Sequence, residues 1–168
     1  MSVDLLPDAD AVAGATVVVI DVLRMTTTAT VLADLGLVHL AVVADVERAH
    51  VRARADGALL LGERGTRPLP GFDGGNSPAE FSAAQVRGRA AVMCTSNGSA
   101  AVEACAAAEH LLLGCLRNGE AVARRALELT RGHIRVVCAG TAGRLSLDDV
   151  AGAPTTCCWP RSATSPRV

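Results

Sequence analysis

The stretch TVVVIDVLRMTTTATVLADL, residues 16–35, contains the structural unit on which the rest of the chain is built. Residues 16–20 are all β-branched, which is typical of a buried strand, and residues 27–35 have the length and composition of a helix. A strand followed at once by a helix is the repeating unit of α/β proteins with parallel sheets. After this stretch, apolar runs of strand length alternate with alanine-rich runs of helical length.

The alternation predicts six strands and six helices. The strands are predicted at residues 16–20, 38–43, 58–61, 90–94, 110–113 and 134–138. The helices are predicted at residues 27–35, 46–56, 78–86, 99–108, 120–130 and from about Ser146 onward. Ser77, followed by Pro78 and Glu80, is a typical helix start, because serine caps a helix and proline suits its first position. We therefore expect an α/β domain with a largely parallel sheet built from successive βα units.

The composition excludes several classes of function. The chain has 168 residues, of which 50% are hydrophobic and only 2% aromatic, and its formal net charge is −1. All 16 basic residues are arginine, which excludes mechanisms based on a lysine Schiff base or a P-loop lysine. The near-neutral charge and the scarcity of aromatic rings argue against nucleic-acid binding. The expected partner is therefore a small molecule.

The sequence also predicts a cytoplasmic location. The first apolar run, residues 11–20, is too short to span a bilayer and follows acidic rather than basic residues. We therefore expect no interaction with a membrane. None of the 6 cysteines belongs to a C-x-x-C pair, so we expect reduced and mostly buried thiols.

Polar residues follow four of the predicted strands, directly before the helices. Ligands of open α/β sheets bind at this carboxyl edge, where loops converge and helix N-termini present free N–H groups. Residues 62–80 form an unusually long loop for a compact domain, which favours a functional role. The residues at the strand ends are Asp21, Arg24, Glu63, Arg64, Thr95, Ser96, Asn97, Gly98, Gly140, Thr141, Gly143 and Arg144.

Together these residues supply carboxylates for a hard divalent cation and guanidinium groups for a multiply charged anion. Each alone has an ordinary structural interpretation. Asp21 is also a typical turn residue, threonines 26–28 are typical of a helix start, and Asn97-Gly98 is a common turn dipeptide. Arginine at a protein surface needs no functional reason. It is the convergence of four strand ends that favours a site.

A different chemistry is suggested by Cys138 and Arg144, which are separated by five residues in CAGTAGR. In cysteine phosphatases a thiolate at such a loop attacks phosphorus, and the arginine binds the phosphate oxygens. Val137 stands where that loop usually has histidine. The structural alternative for Cys138 is a small buried residue at the end of a strand.

Four segments resemble, in order, the motifs of the 2-phosphosulfolactate phosphatase (ComB-like) family. They are IDVLRMTTTATVLADLG, GERGTRPLPGFDGGNSPAEF, CTSNGSAAV and VCAGTAGRLSLDDVAGA, and the likeness covers residues 16–153. The resemblance implies a three-layer α/β/α fold. It also implies Mg²⁺-dependent hydrolysis of 2-phospho-3-sulfolactate to sulfolactate and phosphate, a step towards coenzyme M.

On this basis we expect Asp21 and Glu63 to bind Mg²⁺ or to orient water, with Asp73 and Glu80 as reserve metal ligands. Arg24, Arg64 and Arg144 are expected to bind the anionic groups of the phosphorylated substrate. The N–H groups around Asn97-Gly98 and in residues 140–143 would complete a phosphate cradle. The other expected substrate-binding residues are Thr26, Thr27, Asn76, Ser77, Thr95, Cys138, Gly140 and Gly143.

Residues 154–168 differ from the rest of the chain. They hold three of the seven prolines, two of the six cysteines and the only tryptophan, which predicts neither a buried strand nor a normal helix. We therefore expect a phosphatase-like domain over residues 1–153, incomplete at its C-terminus, and an irregular tail over residues 154–168. The tail is explained either by natural disorder or by a shift of the coding frame near Ala153. The coding DNA past codon 153 distinguishes the two.

The competing function is a non-catalytic anion-binding domain or an inactive enzyme fragment. It predicts that the chain binds Mg²⁺ or phosphate without turning over a substrate. An incomplete sheet would also leave an unpaired edge, which favours association into a homo-oligomer.

Overall fold

The computed structural model of the chain describes residues 1–157. Within them, eight strands and six α-helices follow one another in an alternating order. The strands are β1 (Ser2–Asp4), β2 (Thr16–Ile20), β3 (His39–Val42), β4 (Leu59–Arg64), β5 (Arg67–Pro68), β6 (Ala90–Cys94), β7 (His110–Gly114) and β8 (Ile134–Cys138). The helices are α1 (Met25–Asp34), α2 (Val46–Asp56), α3 (Ala83–Val86), α4 (Gly98–Ala104), α5 (Gly119–Leu129) and α6 (Leu147–Cys157).

The strands are divided between two four-stranded sheets. The first has the order β1-β8-β2-β7 and is parallel throughout. The second has the order β3-β6-β4-β5 and is parallel except for the β4–β5 pair. In the first sheet Ile20 pairs with Gly114 of β7 and Cys138 of β8, so the loops after these three strands begin at one edge.

Helices cover both faces of each sheet, which confirms the three-layer α/β/α fold. Alternate residues of β2 point to opposite faces: Val18 and Ile20 pack with α5 and α6, and Val17 and Val19 pack with α4. The second sheet has α2 on one face and α1 with α3 on the other. Both α1 and α4 contact both sheets and lie between them. Because both of its faces are covered, β2 is buried at every residue.

All six predicted strands are confirmed, and three of them have the predicted bounds. The predicted helix over residues 78–86 is wrong in extent. A short 3-10 turn at Pro78–Glu80 is followed by extended backbone at Phe81 and then by α3. The break arises because Ser82 and Gln85 form a capping box that begins a new helix. Strands β1 and β5 are too short to leave a periodic pattern in the sequence.

The last helix continues through Pro154 to Cys157. The first four residues of the predicted irregular tail, residues 154–157, are therefore helical, with Pro154 inside the helix. Residues 158–168, the remainder of that tail, lie outside the described residues.

No helix in residues 1–157 is both long and apolar enough to cross a membrane. In the same part of the chain, β7 and β3 each form an outer edge of a sheet without a further strand beside them. Association through such an edge stays a prediction.

Candidate functional site

A cavity of about 210 Å³ lies at the carboxyl ends of β2, β4, β6 and β8. Two of these strands belong to the first sheet and two to the second, so the cavity is formed where loops of both sheets meet. All four groups of strand-end residues contribute to it, together with the long loop. Its lining residues are Asp21, Leu23, Arg24, Glu63, Gly65, Thr66, Asn76, Ser96, Asn97, Thr141 and Ala142.

Asp21 directly follows β2 and is buried in the cavity wall. Its Oδ1 accepts a hydrogen bond of 3.3 Å from the N–H of Met25, whereas its Oδ2 has no donor among the described residues. Oδ2 lies so close to Gly98 that a Cβ atom at that position would collide with it. Burial, together with the negative charge of Asp149, raises the pKa of Asp21 from its ordinary 3.8 to about 6. A cation in the cavity would offset this cost of charging Asp21.

Two acidic residues at the start of α6 hold the loop that follows Asp21. Asp149 is buried and accepts hydrogen bonds of 2.9 Å from the N–H groups of both Val22 and Gly140. Asp148 accepts one of 3.1 Å from the N–H of Leu23. The loops after β2 and β8 are thereby joined. Asp149 belongs to the last of the four family-like segments, in SLDD, but the sequence suggests no specific role for it.

Glu63, near the end of β4, has both carboxylate oxygens occupied. Oε1 accepts a hydrogen bond of 2.9 Å from the N–H of Ser96, and Oε2 accepts 2.6 Å and 3.2 Å bonds from the Thr66 N–H and the Ser96 hydroxyl. The Ser96 hydroxyl in turn accepts a 2.8 Å bond from the N–H of Gly65. A carboxylate with three donors has little capacity left for a metal. The geometry therefore favours Glu63 as the group that joins the loops after β4 and β6, rather than as a metal ligand.

The three arginines expected to bind anions are placed differently. Arg24 lines the cavity, and its guanidinium makes no hydrogen bond or ion pair with any residue from 1 to 157. Arg64 lies on the opposite side of β4 from Glu63, where its Nη2 donates to the carbonyl of Ala44 and, at 3.4 Å, to Sγ of Cys94. Arg144 is exposed and does not line the cavity. Of these three arginines, only Arg24 lines the cavity, and no residue from 1 to 157 binds its guanidinium.

Asn76 belongs to the long loop and is only 5% exposed. Its amide oxygen Oδ1 is buried and has no hydrogen-bond partner within the described part of the chain, although the residue lines the cavity. Its backbone carbonyl accepts a hydrogen bond of 3.2 Å from the hydroxyl of Thr28, which holds the loop against α1. Because an unpaired buried oxygen costs free energy, Asn76 is expected to meet a ligand here.

The threonines expected to bind substrate are instead bonded to backbone groups of the loops and helix starts beside the cavity. The hydroxyls of Thr26 and Thr27 donate 2.7 Å hydrogen bonds to the carbonyls of Asp21 and Val22. Thr95 accepts a 3.1 Å bond from the N–H of Ser99 at the start of α4. None of these threonines lines the cavity, nor does Ser77, which precedes the 3-10 turn without a side-chain capping bond.

Cys138 ends β8 with no exposed surface and packs in the core beneath α5 and α6. A thiol in that position cannot reach a substrate in the cavity, and Arg144 is not there to bind the phosphate. The structural interpretation of Cys138 as a buried residue at a strand end therefore agrees with the geometry, and the cysteine mechanism does not.

The N–H groups of the loop after β8 are engaged within the protein. Gly140 donates to Asp149, Thr141 donates to the carbonyl of Arg144 at 2.7 Å, and Ala142 donates to Oδ1 of Asn97 at 3.0 Å. The positive φ angles of Gly140 and Gly143, 69° and 71°, permit this tight turn. These bonds leave the three N–H groups unavailable for a phosphate cradle.

Asp73 and Glu80 lie away from the cavity and stabilise the long loop. Oδ2 of Asp73 accepts a 2.8 Å hydrogen bond from the N–H of Leu60, and Oε2 of Glu80 accepts one of 2.8 Å from the N–H of Gly75. Among residues 1–157, no cluster of three or more His, Cys, Asp or Glu side chains is arranged to hold a metal.

The cavity wall nevertheless fits a magnesium ion. Oδ2 of Asp21 and Oδ1 of Asn76 both lack donors, and oxygen is the ligand type that Mg²⁺ prefers. Proteins commonly bind Mg²⁺ through one or two side chains, with water and substrate phosphate completing the coordination. A cluster of three acidic residues is therefore not required.

Comparisons with known proteins identify the family of the chain. The sequence model of the 2-phosphosulpholactate phosphatase family matches residues 1–158. The chain is 48% identical over 155 residues to a "Probable 2-phosphosulfolactate phosphatase" of Deinococcus radiodurans, and 40% identical over 151 residues to one of Thermus thermophilus. These matches cover 91% and 89% of this chain but 64% and 63% of the two relatives, so the chain spans less than two thirds of their length. The match of the family model over nearly the whole chain shows that the chain belongs to the 2-phosphosulpholactate phosphatase family.

Proposed function

We propose that the chain carries the site of a Mg²⁺-dependent phosphatase that hydrolyses 2-phospho-3-sulfolactate, or a related phosphorylated 2-hydroxy acid, to the hydroxy acid and phosphate. The observation that carries the proposal is the pair of groups that line one small cavity. It holds the unpartnered guanidinium of Arg24 together with a carboxylate oxygen of Asp21 that has no donor. The names of the relatives support this substrate class. The proposal keeps the cytoplasmic location and the step towards coenzyme M as predictions.

Arg24 binds the phosphate group in this proposal. A guanidinium donates two parallel hydrogen bonds to two oxygens of a phosphate, which orients the group as well as attracting it. Because Arg24 has no partner in the described residues, no ion pair must break when phosphate binds. The cavity volume of about 210 Å³ suits a small acid rather than a nucleotide or an oligosaccharide.

Asp21 would hold the magnesium ion through Oδ2, since Oδ1 already accepts a hydrogen bond from Met25. A bound Mg²⁺ supplies neutralisation of the phosphate charge and a polarised water molecule. The protein contributes the geometry: Glu63 joins the loops after β4 and β6, and Asp149 joins those after β2 and β8. Bonds of this kind keep Asp21 and Arg24 in one arrangement when the substrate arrives.

Phosphate release from 2-phospho-3-sulfolactate and from 2-phospholactate, measured on the whole chain, tests the proposal. We expect turnover with Mg²⁺ and a loss of about 100-fold or more in excess EDTA or on the substitution Asp21→Asn. The matched control is Asp73→Asn, which alters a carboxylate outside the cavity and should preserve the rate. Full activity in EDTA would contradict the metal dependence. Loss of activity in Cys138→Ser without loss in Asp21→Asn would favour the thiol mechanism.

The second candidate is a non-catalytic anion-binding domain. It is kept because the match covers only 64% of the Deinococcus relative. Calorimetric titration of the chain with Mg²⁺ and inorganic phosphate distinguishes the two candidates: binding of both without turnover of either substrate would favour the anion-binding domain.

A further inference from the structure

We infer that the side-chain amide oxygen of Asn76 is a protein ligand of the Mg²⁺ ion together with Asp21, and that Glu63 is not a ligand. The inference rests on the proposed metal-dependent phosphatase and assigns the second oxygen that holds its cation.

The first argument is the chemistry of the unpaired atom. Oδ1 of Asn76 is buried and unpaired, on a residue that lines the cavity, and it can only accept hydrogen bonds or coordinate a cation. The oxygens of an ionised phosphate are acceptors as well, so a phosphate cannot satisfy Oδ1. The same holds for the unpaired Oδ2 of Asp21. Two such oxygens on a cavity of about 210 Å³ are compatible with a positively charged occupant beside them.

The second argument is that one helix holds both oxygens. The N–H of Met25, in the first turn of α1, donates to Oδ1 of Asp21. The hydroxyl of Thr28, one turn further along α1 and fully buried, donates to the backbone carbonyl of Asn76. The helix therefore fixes the distance between the two proposed ligands before the metal binds, which lowers the entropy lost on binding.

The third argument is that the cavity lining combines groups that suit a cation with a group that suits an anion. Asp21 and Asn76 carry unpaired oxygen atoms, whereas Arg24 carries an unpaired cationic group. Each oxygen of Glu63 already accepts at least one hydrogen bond, from Ser96 or Thr66, which makes Glu63 a weaker candidate for a ligand than Asp21. A lining with both kinds of group suits a Mg²⁺ ion together with a phosphate, the combination that metal-assisted phosphate hydrolysis requires.

Calorimetric titration of the whole chain with Mg²⁺, without substrate, tests the inference. We expect Asn76→Ala to weaken Mg²⁺ binding about tenfold or more, as expected for loss of a group that holds a metal. The matched control is Asn97→Ala, because Asn97 lines the same cavity but its Oδ1 already accepts the N–H of Ala142. The control should change the Mg²⁺ affinity by less than about threefold. Equal effects of the two substitutions would overturn the inference.

A pair of isosteric variants tests the inference even if the alanine variant does not fold. Asn76→Asp places a charged oxygen at the proposed ligand position, and Asn97→Asp adds the same charge to the same cavity away from it. We expect Asn76→Asp to bind Mg²⁺ more tightly than Asn97→Asp does. If Asn76→Asp instead leaves Mg²⁺ affinity unchanged and abolishes binding of inorganic phosphate, the amide group donates to phosphate through Nδ2 and the inference is wrong.

The titration separates this inference from the proposed function. A wild-type chain that needs Mg²⁺ for turnover, but whose Mg²⁺ affinity does not depend on Asn76, would overturn the ligand assignment alone. A chain whose Mg²⁺ affinity depends on Asn76 but whose turnover is unchanged in EDTA would overturn the proposed function and leave the ligand assignment standing.

Discussion

Burial of the Asp21 carboxylate opposes folding of the metal-free chain. Burial and the charge of Asp149 raise its pKa from 3.8 to about 6, so the folded state holds this proton more tightly than the unfolded state does. A buried carboxylate that only filled space would destabilise the fold in this way, and an apolar residue would serve better. Retention of such a group in a cavity is instead typical of functional sites, where a ligand offsets the cost.

The substitution Asp21→Asn should therefore stabilise the metal-free chain above pH 6. Below pH 3.8 the Asp21 carboxyl is protonated in both the folded and the unfolded state and does not lower the unfolding free energy. Between pH 3.8 and 6 it ionises first in the unfolded state, so the unfolding free energy falls. Above pH 6 the full destabilisation is present. The pKa change corresponds to at most about 3 kcal/mol. Urea unfolding in EDTA at pH 8 and at pH 4 measures the difference. A gain in unfolding free energy at pH 4 that equals the gain at pH 8 would contradict this explanation.

Gly98 is required by packing against Asp21. A Cβ at this position would collide with Oδ2 of Asp21 and lie 2.8 Å from Cβ of Met25. We expect Gly98→Ala to destabilise the chain by about 1–3 kcal/mol, although alanine is the better helix former. The control is Gly132→Ala, where a Cβ would have no atom within 4 Å and little effect is expected. Thermal unfolding of the two variants compares them, and equal melting temperatures would refute the steric argument.

At the scale of secondary-structure elements, side chains tie the loops of neighbouring strands to one another. Glu63 joins the loops after β4 and β6, Asn97 joins those after β6 and β8, and Asp149 joins those after β8 and β2. Each of these side chains accepts hydrogen bonds from backbone N–H groups. The three residues form a chain of contacts across the carboxyl edges of both sheets, which explains why several predicted substrate-binding groups are already engaged.

Asp149→Asn should destabilise the chain because an amide can accept from only one of the two N–H groups that Asp149 now bonds. Its NH₂ group would face either Val22 or Gly140 and leave that N–H buried and unpaired. The expected loss in unfolding free energy is about 1–3 kcal/mol. Asp148→Asn is the control. Asp148 is partly exposed and accepts a hydrogen bond from only one backbone N–H, so this variant should lose less unfolding free energy. A smaller loss in Asp149→Asn than in the control, measured by urea unfolding, would contradict the role of Asp149.

At the scale of the whole molecule, the cavity belongs to neither sheet alone. Asp21 and Thr141 follow strands of the first sheet, and Glu63 and Ser96 come from the second. Helices α1 and α4 lie between the two sheets and support the walls. A ligand in this cavity therefore contacts both halves of the molecule and stabilises their mutual arrangement.

Binding of Mg²⁺ and inorganic phosphate should consequently protect both sheets from hydrogen exchange. Each ligand alone, at a concentration 100 times its dissociation constant, raises the unfolding free energy by about 2.7 kcal/mol. Amide exchange should slow near Ser96, after β6, and near Ala142, after β8. Exchange measured by mass spectrometry with and without the ligands tests this, with sodium chloride at equal ionic strength as the salt control. Protection confined to one sheet would contradict a cavity shared by both.

Much of the fold was predictable from local pattern. Every residue of strand β2 is β-branched. Helix α2 lies between the capping residues Asp45 and Gly57. Both signals lie within a few residues of the element that they predict. The break between the 3-10 turn and α3 was missed because competing caps at Ser77 and Ser82 are equally good in sequence. The division into two sheets was missed because pairing between distant strands leaves no periodic signal.

The sequence by itself determined the alternation of strands and helices, the family, and the edge at which the polar residues gather, because parallel strands place all their carboxyl ends together. Only the tertiary structure decided which polar groups are available. Glu63 and the threonines at helix starts are bonded within the protein, and Arg64 does not line the cavity, whereas Asp21, Arg24 and Asn76 line it and keep unpaired atoms. The physical reason is that a hydrogen bond between residues far apart in the chain depends on packing, and residue type alone does not specify its partner.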